Sequence, residues 1–109
     1  MIDPETEKAA RKGRKVAKGG KHVEVALDTK KQLLYYMKLS REIEYRIERV
    51  LYRQGKIVGG VYVGRGQEAI SIGTSIHMRE SDVVAPTHRD MGVFLIRGVS
   101  VRRIIAQYM

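Results

Sequence analysis

The chain has 109 residues, with 21 Lys and Arg against 12 Asp and Glu, and no cysteine. That length allows one small domain at most, and a domain near this size buries only about 60–65% of the surface its unfolded chain exposes, so any cleft is shallow unless a partner supplies a wall. Disulfides and thiolate metal sites are excluded, His77 and His88 are too few for a zinc cage, and no apolar run reaches the roughly 18 residues of a membrane span.

The formal net charge is +9. Residues 1–28 hold seven basic and five acidic side chains, so most of the excess lies in residues 29–109, as on a folded surface that meets an anionic ligand, nucleic acid or an acidic partner. Within the first segment, "EKAARKGRKVAKGGKH" (Glu7–His22) has Val16 as its one strong hydrophobe and cannot offset the entropy of ordering, so residues 1–28 are expected to be a disordered basic tail. The segment carries Asp3, Glu5 and Glu7 and no apolar h-region, which leads to the expectation of a cytoplasmic protein.

From Thr29 the pattern becomes helical. "TKKQ" reads as a capping box, and Leu33, Met37, Ile43, Ile47, Val50 and Leu51 recur at helical spacing up to a stop at Gly55, which predicts one long helix of about 25 residues. Arg41, Arg49 and Arg53 share another face with Tyr45, which suits a solvated stripe or a surface for an acidic partner subunit. Residues 55–66, "GKIVGGVYVGRG", hold five glycines, and the segment reads as a Gly-rich turn between packed elements. It lacks both the G-x-G-x-x-G fingerprint and a P-loop.

"QEAISIGTSIHM" (Gln67–Met78) predicts a second helix whose small residues allow close approach to another backbone, with Glu68 favoured in its first turn by the helix dipole. "VVA" (Val83–Ala85) predicts a short buried strand closed by Pro86. Thr87 and Asp90 form a second capping-box pattern for a helix ending at Gly98, and Ser100 caps a last one. The fold class these elements predict is α/β and helix-dominated.

A strand running into a helix start is where open α/β sheets place anions. His88 and Arg89 stand at that position, an imidazole donor beside a planar fork matched to phosphate oxygens. Two readings are open on the residues alone. Either the pair holds a phosphate or diphosphate, or Arg89 pairs with Asp90 or Glu68 and His88 is a satisfied capping residue.

"LYRQGKIVGGVYVGRGQEAISIGTSIHM" followed by "DVVAPTHRDMGVFLIRGVS" resembles the N-terminal portion of the alpha subunit of the thiamine-diphosphate-dependent 2-oxoacid dehydrogenases, the pyruvate, branched-chain and acetoin types. The resemblance covers about residues 29–109 and implies part of a thiamine-diphosphate-binding fold. It implies oxidative decarboxylation of a 2-oxoacid such as pyruvate with acyl transfer to a lipoyl group, thiamine diphosphate and Mg2+ as cofactors, a beta subunit in an alpha2beta2 assembly, and a lipoyl acyltransferase component as partner. Neither nucleic acid nor membrane is a partner on that reading. By the same resemblance His88 and Arg89 hold the cofactor diphosphate, and Tyr62 takes a place where the family often has a histidine near the reactive ring. The carboxylate that activates the ring comes from the beta subunit in such enzymes, so Glu68 is not that residue. The family's Gly-Asp-Gly magnesium motif is absent from this sequence, and the 109-residue chain alone is expected to be inactive.

On the residues alone two other classes stay open. One is a small basic nucleic-acid-binding protein, although no RNA-binding motif or stacking platform stands out. The other is a silent remnant that binds a partner subunit.

Overall fold

The computed structural model describes residues 24–109. They form four α-helices, α1 (Leu27–Tyr45), α2 (Glu68–Ser75), α3 (Met91–Ile96) and α4 (Val101–Ala106), with α1 running directly into a π-helical segment, Arg46–Leu51. Most of the expected tail lies outside the described residues.

The long helix is present, but its start differs from the capping-box expectation. It begins at Leu27 behind Ala26, which makes no side-chain cap bond, and Thr29 lies inside the first turn beside Asp28. The carboxylate of Asp28 suits the positive end of the helix dipole there. After Tyr45 the turn widens, with the Tyr52 N–H donating to the Ile47 carbonyl at 3.0 Å. Ile43, Ile47 and Leu51 are spaced by four, and on a regular α-helix each such step overshoots a full turn by about 40°. The wider turn offsets that drift, so all three stay on the face that meets the core. Gly55 then ends the helical run with φ +68°, as a C-terminal glycine does.

Ile43 and Ile47 pack with Ile57, Met91, Leu95 and Ile104 in one core cluster. α1 therefore forms the platform on which the Gly-rich segment, α3 and α4 rest. α2 meets α3 at very short range, since a Cβ on Gly92 would lie 2.5 Å from Ile72 Cγ1 and 2.6 Å from Ser71 Oγ. The small residues of α2 make this approach possible without orphaned hydroxyls. Ser75 Oγ donates to the Ser71 carbonyl at 2.5 Å and Thr74 Oγ1 to that of Ile70 at 2.7 Å.

The expected strand is not formed. Residues 83–85 have no regular secondary structure, Val83 is 96% exposed, and there is no strand among the described residues. A strand exists only through a neighbour that takes up its N–H and C=O groups. The described region is thus helix-dominated rather than α/β. The turn before Val83 is held instead by Arg97, whose guanidinium donates to the carbonyls of Arg79, Glu80 and Asp82 at 2.7, 2.9 and 3.1 Å. Gly98 closes α3 with φ +79°, and Ser100 caps α4 by accepting from the Arg103 N–H at 3.4 Å. Among the described residues no helix is long and apolar enough to cross a membrane.

Candidate functional site

Residues 87–90 form a tight turn closed by one carboxylate. Asp90 Oδ2 accepts from the Thr87 N–H at 3.0 Å and from the Thr87 hydroxyl at 2.7 Å, while the Asp90 N–H donates to the Thr87 carbonyl at 3.1 Å. The Thr87 bonds, with a smaller contribution from nearby His88, hold the Asp90 carboxyl below its ordinary range. Half of the expected capping box is therefore real, but it shapes the turn ahead of the helix. α3 starts later, at Met91 behind Asp90. The side chains of His88 and Arg89, rather than helix N–H groups, are what this place offers an anion.

Both side chains are exposed. Neither carboxylate proposed as a partner for Arg89 is available. Asp90 is engaged by Thr87, and Glu68 is held by Arg41 in a two-pronged pair, Nε to Oε1 at 2.7 Å and Nη2 to Oε2 at 2.8 Å. Among the described residues Arg89 makes no ion pair. Tyr62, predicted from a distant part of the sequence, stands edge-on to the His88 ring with centroids 5.5 Å apart. The three expected site residues are thereby gathered at one place. His88 also borders a cleft of about 610 Å³ whose walls include Met91, Phe94, Ile104 and Tyr108, with Arg103 at its edge.

What assembles this place is the end of the Gly-rich segment. Three consecutive residues are staked by three carboxylates: the Gly64 N–H donates to Glu44 Oε1 at 2.9 Å, Arg65 pairs with Glu48, and the Gly66 N–H donates to Glu68 Oε2 at 2.9 Å. Gly64 also touches the histidine-arginine turn directly, because a Cβ there would lie 2.1 Å from the Arg89 carbonyl oxygen. Only a residue without a side chain fits. Gly66, at φ +89°, adopts a backbone that other residues rarely take.

The electrostatics of the two buried acids diverge. The Arg41 fork holds the Glu68 carboxyl below its ordinary range, ahead of an opposing effect of burial. Burial pushes the Glu44 carboxyl up, opposed by the Gly64 hydrogen bond and reinforced by nearby Glu68. Glu44 is 2% exposed, and its Oε2 has no hydrogen-bond partner among the described residues.

Sequence reasoning missed Glu44, and it placed Arg41 on a solvated face, where it is indeed exposed, without foreseeing that it grips Glu68. A signal for Glu44 existed. It sits beside Ile43 and three residues before Ile47, on the buried face of the long helix, where a carboxylate needs a donor from another element.

A family model described as "Dehydrogenase E1 component" matches residues 35–109. The alpha subunit of the mitochondrial pyruvate dehydrogenase E1 component of Chaetomium thermophilum is 33% identical over 87 residues, which is 80% of this chain and 21% of that protein. The 3-methyl-2-oxobutanoate dehydrogenase alpha subunit of Mycobacterium tuberculosis is 33% identical over 79 residues, covering 72% of this chain and 21% of that one. The acetoin:2,6-dichlorophenolindophenol oxidoreductase alpha subunit of Bacillus subtilis is 28% identical over 85 residues, covering 76% and 25%. The chain thus spans about a fifth to a quarter of the length of these curated relatives. No solved structure gives a significant match.

Proposed function

The chain belongs to the dehydrogenase E1 component family, and from that premise we propose that it is part of the alpha subunit of a thiamine-diphosphate-dependent 2-oxoacid dehydrogenase, with His88 and Arg89 as the diphosphate-binding pair. The observation that carries this reading is the turn at 87–90, where an unclaimed guanidinium and an imidazole stand side by side while Asp90 and Glu68 are engaged elsewhere. Such a donor set fits a diphosphate. Arg89 offers parallel N–H bonds to two oxygens, and His88 adds a donor that strengthens when protonated.

When bound, thiamine diphosphate supplies the carbanion-stabilising chemistry by which a 2-oxoacid loses carbon dioxide. The chain's own residues bind and orient. Arg89 fixes the diphosphate by charge and direction, His88 by a hydrogen bond from its ring, and the Tyr62 phenol donates a hydrogen bond beside them. Among the described residues no group of three or more His, Asp or Glu gathers to hold a metal ion, so no residue here is assigned to magnesium. A beta subunit and a lipoyl acyltransferase component complete the proposed assembly. Exposed Leu34, Tyr35 and Ile70 give it apolar surface to dock on. Pyruvate stands as the proposed substrate, by likeness to the Chaetomium and other pyruvate dehydrogenase relatives.

The test is a titration of the 109-residue chain with inorganic diphosphate, followed by amide and imidazole NMR. Saturable shifts at His88 and Arg89, abolished in Arg89→Ala, are expected. Shifts confined to Lys-rich residues 7–22, or none, would overturn the assignment. Thiamine diphosphate with magnesium is expected to bind this chain weakly, and micromolar affinity in the same titration would overturn the proposal that other parts of the assembly are needed.

A further inference from the structure

We infer that Glu44 is a positioning residue for the anion site, acting on His88, Arg89 and Tyr62 through the backbone of Gly64. The inference rests on the reading of that site as a diphosphate site and adds a residue that touches no ligand.

The chain of contacts is short. Glu44 Oε1 accepts the Gly64 N–H at 2.9 Å. Gly64 in turn leaves no space for a Cβ against the Arg89 carbonyl, with 2.1 Å available, and the same virtual atom lies 3.2 Å from Glu44 Oε1. Two residues before Gly64, Tyr62 sets its ring against His88. One buried oxygen on the rigid α1 platform therefore fixes the strip that abuts Arg89 on one side and carries the ring facing His88 on the other. Glu48 and Glu68 hold the next two residues, and of the three carboxylates Glu44 holds the one in contact with the turn; the Gly64 carbonyl also accepts from the Gln67 N–H at 2.8 Å.

The position of Glu44 is otherwise hard to explain. A carboxyl 2% exposed with one oxygen unpartnered is a destabilising feature that an apolar residue in a helix face rich in isoleucine would avoid. Such features persist where they order something else, and here the ordered element is the glycine strip. The polar and charged groups around the acid are the Gly64 N–H, Arg41 on its own helix, Arg65, Glu68 and Tyr108. None of these supplies a hydrogen bond to Oε2.

The experiment compares Glu44→Gln, Glu44→Ala and Glu44→Asp in the full chain. Gln keeps an acceptor oxygen at the same reach, Ala removes it, and Asp keeps the charge but withdraws the oxygens by a methylene. Two readouts are taken: the cross-relaxation between the Tyr62 and His88 rings, and the affinity for inorganic diphosphate. Helix content and the amide of Arg79, which is held by Asp82 in a separate turn, serve as controls for folding.

Glu44→Gln is expected to retain the ring contact and the wild-type affinity. Glu44→Ala and Glu44→Asp are expected to lose the contact and bind diphosphate about fivefold more weakly, the size of one lost hydrogen bond. If Ala does not fold, Asp carries the same comparison. Gln behaving like Asp, or none of the three altering the ring contact, overturns the inference. Loss of the ring contact in a chain whose wild type ignores diphosphate leaves the positioning role standing and removes the functional reading instead.

Discussion

Gly64→Ala is the sharpest perturbation that the structure offers. The added Cβ would lie 2.1 Å from the Arg89 carbonyl oxygen, whereas ordinary contact begins at 3.4 Å, so the strip and the turn must separate by about 1.3 Å. The obstacle is backbone on both sides, and no flexible side-chain end can swing away. A retreat of the strip by that amount along the N–H direction would take the 2.9 Å bond from the Gly64 N–H to Glu44 beyond hydrogen-bonding range. Overpacking in a closed contact costs about 1–3 kcal/mol, and the lost bond leaves a buried donor and a buried carboxyl unpaired for about 1–3 kcal/mol more. The expected destabilisation is about 2–6 kcal/mol, measured as a shift in the urea midpoint with an unchanged slope. Gly73→Ala is the internal control. Gly73 lies within α2 with nothing within 4 Å of its virtual Cβ, so alanine there is expected to stabilise by about 0.5–1 kcal/mol. Equal midpoints for the two variants, or a Gly64→Ala cost below about 0.5 kcal/mol, would refute the close contact and the route from Glu44 to Arg89 with it.

Two further outcomes can be measured by thermal unfolding. Ser100→Ala removes the only side-chain cap found on the described helices and is expected to cost about 1 kcal/mol, with Ser100→Asn close to wild type. The pH dependence should show opposite signs for the two buried acids. Glu68, depressed below its ordinary 4.5 by the Arg41 fork, contributes stability that is present above that value and lost as the pH falls through its lowered pKa. Glu44, raised above the same 4.5, makes its contribution below that value and loses it as the pH rises through its raised pKa. Glu68→Gln should therefore flatten the acid limb of the midpoint curve, and Glu44→Gln the limb above it. Curves parallel to wild type would show that neither carboxyl is held as described.

Local signals in the sequence identified what local physics controls. The long apolar period of residues 33–51 gave the α1 platform, and Ser100 gave its helix start. Gly55 and Gly98 marked ends that are indeed left-handed. The small residues of "AISIGTS" pointed to close packing, realised against Gly92. The strand failed because "VVA" describes only a propensity to extend, while a strand is a property of a pair. His88 and Arg89 were legible as an adjacent basic pair. Which carboxylates would leave them alone was not, since the Arg41–Glu68 pairing spans 27 residues and depends on how α2 lies on α1.

The same contrast explains how an exposed cationic turn can be a defined site at all. An arginine on a six-residue helix's leading turn has many competitors for its guanidinium, and in a chain with this much acid on α1 and α2 an ion pair is the default outcome. Here the acids are spent on the adjoining strip. Glu44, Glu48 and Glu68 hold residues 64–66, Arg41 neutralises Glu68 from the far side, and Asp90 is turned back onto Thr87. Glu44, Glu68 and Asp90 each fix a backbone N–H and Glu48 the Arg65 side chain, and all four thereby leave Arg89 unpaired. Ordering and vacancy arise from the same bonds, which is why a substitution at Glu44 or Gly64 is expected to reach the anion site even though neither is one of its proposed ligand-binding residues.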